Sequence, residues 1–145
     1  MGCNVTFSVV NEHQEGNVGN DWKYVITAKV YDGNLKGEGK ISVEEHILES
    51  GESRTPPGPP EPVVIPAGDG GSEVLIRVHL HATEVDVMVS DHGYSDLDVR
   101  MDTPTAGGQP SVKEVEISAG VQEMPAVKNE TAVFTARLRF EAQTT

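Results

Sequence analysis

The chain has 145 residues, and its 23 acidic side chains against 11 basic ones leave a net charge of −12 at pH 7. That field repels a phosphate backbone and argues against nucleic acid as a partner. Cys3, the lone cysteine, excludes an internal disulfide, and no stretch is long and apolar enough to cross a bilayer as a helix.

The length suits one domain, residues 1–145, and twenty valines against six leucines, with 15 Gly and 9 Pro, favour strands joined by turns. Val5 to Val10 reads as a first strand with Val5, Phe7 and Val9 on one side, turned by the polar run Asn11 to Asn20. Trp22, Tyr24, Ile26, Ala28 and Val30 alternate with Lys23, Thr27 and Lys29, the period-two pattern of a sheet covered on one face. Asp32-Gly33-Asn34 supplies a tight turn, after which Ile41, Val43 and Ile47 make a third strand with Glu44 and His46 facing the other way.

Residues 49–62 carry five prolines in their last seven positions and read as a loop, because proline has no amide to give to a ladder. Val63 to Ile65 is a short strand, followed by a glycine turn at residues 68–71. Val74, Ile76, Val78, Leu80 and Ala82 are then even-numbered whereas Val85, Val87 and Val89 are odd, so the chain must turn or bulge at Thr83-Glu84. Asp96 to Met101, Val112 to Ile117 and Thr131 to Gln143 complete eight or nine strands. In the last of them Ala132, Phe134, Ala136, Leu138, Phe140 and Ala142 form one apolar face. The count and spacing predict an all-β, single-domain antiparallel sandwich of the Ig-like, C2-like or jelly-roll kind, with Trp22, Ile26, Val78, Leu80, Phe134 and Leu138 in its core.

Two sets of residues could hold a metal. His79 and His81 share one face of a strand, about 7 Å apart at their Cα atoms, and with a third ligand they could chelate a transition metal; an exposed polar face is the plain alternative. Asp32, Asp69, Asp91, Asp96 and Asp98 fall in or next to expected turns, where oxygen-rich loops gathered at one end of a sandwich can hold Ca²⁺, though Asp is also a turn former in its own right. Neither set makes a cofactor certain; Ca²⁺ is the one to which the acidic loops point. Met1-Gly2-Cys3 fits the start of an acylation motif.

The histidine pair opens a stretch that resembles the first motif of cupins, metal-binding β-barrels with two histidines one residue apart, then a carboxylate, then a glycine. Here these are His79, His81, Asp86 and Gly93. Asp stands where cupins carry Glu, and no histidine follows His92 to complete a second motif. The resemblance implies a transition-metal site and, through it, a small metal-dependent enzyme.

No nucleophile elbow is present, and Glu44 and Glu45, adjacent on a strand, face opposite sides. The reading that follows is a non-enzymatic binding, adhesive or assembly module presenting loops and sheet edges to a protein or glycan partner, with the metal-dependent module as the alternative. The first strand, which has neither charge nor proline over Val5 to Val10, is expected to be paired inside a sheet or to form a homo-oligomer contact. The chain is expected to be soluble: secreted or particle-associated if a leader has been removed, otherwise cytoplasmic.

Overall fold

The computed structural model of the protein describes residues 2–123 and 130–145, so Met1 of the acylation motif lies outside the described residues. Nine strands form: β1 (Cys3–Gly16), β2 (Asp21–Asp32), β3 (Asn34–Ile47), β4 (Ser53–Arg54), β5 (Val63–Pro66), β6 (Glu73–Glu84), β7 (Asp91–Asp102), β8 (Ser111–Gln122) and β9 (Thr131–Thr144). No helix occurs among the described residues, hence none long and apolar enough to cross a membrane.

The strands make two antiparallel sheets, one ordered β4-β1-β9-β8 with β5 also on β1, the other ordered β3-β2-β6-β7. Alternation puts Ile26, Ala28, Ile76, Val78 and Leu80 of the second sheet against Phe7, Phe134, Leu138 and Phe140 of the first in one apolar cluster. The six expected core residues are all 1 % exposed or less. Phe134 sits at the centre of this layer, its ring 4.6 Å from that of Tyr24 and 5.6 Å from that of Trp22. The Asp32-Gly33-Asn34 turn closes the β2–β3 hairpin as expected, with Gly33 at a φ of 72°, a conformation glycine adopts without steric cost.

Three local expectations change and one open alternative is decided. β1 does not stop at Val10 but runs on to Gly16, because an extra residue between Val9 and Asn11 shifts its register against β9. Past that bulge the inward positions are even-numbered, so Glu12 and Gln14 are buried. A second irregularity, opposite Trp22 and Tyr24, does the same to β3: His46 turns inward and Ile47 is left 52 % exposed, the reverse of their expected faces. At Thr83-Glu84 the chain turns rather than bulges, and Val87, Met88 and Val89 are exposed residues of the connection rather than a strand face.

The last change is that the strand expected from Asp96 begins already at Asp91, so that Asp91 to Ser95 form strand rather than loop. Gly93, the glycine of the cupin-like stretch, serves close packing within this strand: a Cβ there would lie 2.5 Å from the Gly120 carbonyl oxygen on β8. The first strand is paired on both sides, by β9 along most of its length and by β5 and β4 on the other edge. The proline-rich segment contributes β4 and the buried Pro56.

Candidate functional site

The wet face of the second sheet gathers most of the chemistry. Register places His79 opposite Asp96, His81 opposite Tyr94, Thr83 opposite His92 and Arg77 opposite Asp98, and cross-strand partners project to the same side. His79 Nδ1 lies 2.8 Å from Asp96 Oδ1, and Arg77 Nε 3.8 Å from Asp98 Oδ1 with its guanidinium 5.4 Å from the centre of the Tyr31 ring. The 61 %-exposed Tyr94 ring stacks on His81 at 4.5 Å and on His79 at 6.0 Å. An open depression of about 530 Å³ runs along this face between Thr27, Lys29, Tyr31, Arg77, His79 and Asp98.

At the far end of the row, His81 Nε2 is 2.9 Å from His92 Nδ1, and Thr83 Oγ1 is 3.3 Å from both. Burial first, then the neighbouring His92, His79 and Lys23, lower the pKa of His81 and favour its neutral ring. His79 and His81 do share a face, but each is engaged elsewhere: His79 with a carboxylate, His81 with His92.

The aspartates expected around a calcium ion are spread over the sheet. Asp96 and Asp98 face solvent in mid-strand. Asp32, at the end of β2, accepts a hydrogen bond from Ser72 Oγ at 3.1 Å, and Asp69 lies nearby in the exposed turn after Gly68. Asp91 is buried at the other end: Glu84, its strand partner, pairs with Trp22 at the start of β2, about 30 Å along that strand from Tyr31. Asp91 instead joins Glu84 and Asp86 in a trio whose nearest carboxylate oxygens all lie within 4.8 Å of one another. Glu84 is 4 % exposed beneath Gly19, where a Cβ would be 2.6 Å from its carboxyl carbon. Burial, with Asp86 and Asp91 adding repulsion, raises its pKa to about 7.

A third group, hidden from sequence by the two irregularities, lies between the sheets. Glu12 is fully buried; its Oε1 accepts from the Tyr24 hydroxyl at 2.8 Å, and its Oε2 is 2.5 Å from His46 Nε2. His46 Nδ1 faces the Glu44 carbonyl at 2.7 Å, which can only accept, so the ring is fixed in place through both nitrogens. Burial and the Glu12 carboxylate push the Tyr24 hydroxyl far above its ordinary pKa, which keeps it a donor. Next to it Gln14 Nε2 donates to the Leu48 and Gly19 carbonyls at 2.9 and 3.1 Å.

No protein-family model and no curated protein matches the chain.

Proposed function

We propose that the chain is a non-enzymatic binding module whose recognition surface is the wet face of the second sheet, and that the ligand class this face suits is a glycan. The observation that carries the reading is the exposed Tyr94 ring and the half-buried Tyr31 ring flanked by paired charges, Arg77, Asp96 and Asp98. Sugar rings offer apolar C–H faces to pack on aromatic faces, and hydroxyls that donate to carboxylates while accepting from a guanidinium. A protein interface would favour a dry, charge-depleted centre, whereas ion pairs occupy the middle of this face. The acidic net charge further favours a ligand without phosphate.

A glycan array followed by affinity electrophoresis tests this. The intact protein is expected to be retained by at least one glycan class; Tyr94→Ala and Asp98→Ala should lose retention, and Arg139→Ala on the other sheet should keep it. Failure to retain any glycan, or capture of a protein alone by the same face, would overturn the glycan assignment.

The Glu84, Asp86 and Asp91 trio favours a second reading, divalent-cation binding, in place of the calcium site expected from the scattered aspartates. A cation there would offset the burial, and the repulsion from Asp86 and Asp91, that raise the pKa of Glu84, with water completing the six to eight oxygens that Ca²⁺ takes. Ca²⁺ binding to the folded state must raise the melting temperature, and Glu84→Gln should remove that response. An unchanged melt at millimolar Ca²⁺ would dismiss this reading.

A further inference from the structure

We propose that His81 and His92 form a bidentate site for a divalent transition-metal ion of tetragonal preference, Ni²⁺ or Cu²⁺, with Thr83 Oγ1 as a weaker oxygen donor beside them. The two nitrogens and the hydroxyl form a compact triangle, 2.9 Å between the nitrogens and 3.3 Å from each to the oxygen. With metal–nitrogen bonds of about 2.0–2.1 Å, a 2.9 Å span between ligands subtends about 90° at the metal. That is the cis angle of square-planar and octahedral coordination; a tetrahedral ion such as Zn²⁺ would need the nitrogens roughly 0.4 Å further apart.

Both donors are held on rigid strands. Thr83 and His92 are cross-strand partners, His81 lies two residues along β6 from Thr83, and Tyr94 packs against the His81 ring. Without metal the same two nitrogens are joined by one proton, the ring that carries it donating to the other. A metal takes both lone pairs, so the ring that carries the shared proton must move it to its other nitrogen, with no net proton released from two neutral rings. Lys23, opposite Thr83 on β2, faces the same side and opposes a cation; His79, occupied by Asp96, contributes charge but no ligand. The partner of His81 in metal binding is therefore His92, not His79.

Titration calorimetry of the untagged protein with Ni²⁺ and with Zn²⁺ tests the site, with imidazole resonances followed by NMR for paramagnetic broadening. One Ni²⁺ per chain, bound more tightly than Zn²⁺, is expected, with broadening at His81 and His92. His81→Ala, His92→Ala and the isosteric control His92→Gln should each weaken Ni²⁺ at least about tenfold, whereas His79→Ala should stay within about twofold and Lys23→Ala should tighten binding. Equal binding by wild type and His92→Gln, a loss in His79→Ala matching that in His92→Ala, or tighter binding of Zn²⁺ than of Ni²⁺ would overturn the proposal. The site does not depend on the glycan reading: Asp98→Ala should abolish glycan retention and leave Ni²⁺ affinity unchanged.

Discussion

Imidazoles on the second sheet meet opposite surroundings. His46 is nearly enclosed between the sheets, its side chain 11 % exposed, with the buried Glu12 carboxylate on one nitrogen and a backbone carbonyl on the other. His81 and His92, on the outer side of the same sheet, have each other, a hydroxyl and the Tyr94 ring. In the interior a ring nitrogen must be matched by a fixed partner, because an unmatched polar group there costs the full desolvation penalty. On the wet face water can stand in for a lost partner, so the contact between the two rings can be exchanged without that penalty. The difference separates groups that hold the two sheets in register from groups proposed to bind a ligand.

Three changes test that separation, starting with the largest effect. Glu12→Ala strips the buried imidazole and the Tyr24 hydroxyl of their acceptor at once and should cost about 3 kcal/mol in urea denaturation. Glu12→Gln, which keeps an acceptor for Tyr24, should cost less; equal losses would mean that the charge rather than the hydrogen bonds holds the cluster.

Glu84 comes next. Its pKa in the folded protein, raised from 4.5 to about 7, means that the folded state binds this proton more tightly than the unfolded chain does. Its contribution to stability is therefore full below pH 4.5 and is lost as pH rises through about 7. Glu84→Gln should stabilise the protein by about 1 kcal/mol at alkaline pH, after allowing for solvent screening, and the two melting curves should converge towards pH 4.5. A constant difference at all pH values would show that packing beneath Gly19, not charge, sets the effect.

The smallest effect belongs to the exposed pair. His81→Ala and His92→Ala should change stability by no more than about 0.5 kcal/mol near neutral pH, against the much larger loss at Glu12. The sign of the pH dependence is opposite to that of Glu84. With the pKa of His81 depressed below 6.5, its share of stability is present above that pH and lost as pH falls. His92→Ala, which removes one of the repelling neighbours, should flatten that part of the thermal-melt profile.

Much of the architecture was legible in the residues. The period-two patterns of β2, β6 and β9 require one buried face and one wet face, and no other regular structure satisfies them, so strand identity, the sandwich class and the core around Trp22, Leu80 and Phe134 could be read directly. The shared face of His79 and His81 followed from the same rule. Glu12 and His46 were not legible, because a single extra residue in β1 or β3 inverts every face beyond it, and the ladder position of that residue depends on the partner strand. His92 was missed because it follows Asp91 in a stretch read as an acidic turn, and only the pairing of β7 with β6 places it opposite Thr83.

By itself, then, the sequence determined the strands, the two-layer class and which apolar residues pack, since these depend on local alternation and transfer of side chains from water. The tertiary structure decided which polar groups meet: His81 with His92 rather than with His79, Asp91 with Glu84 rather than with Asp32, and Glu12 with Tyr24 and His46 across the sheets. Such meetings depend on register and on pairing between strands distant in sequence, and alternation along one strand carries no information about either.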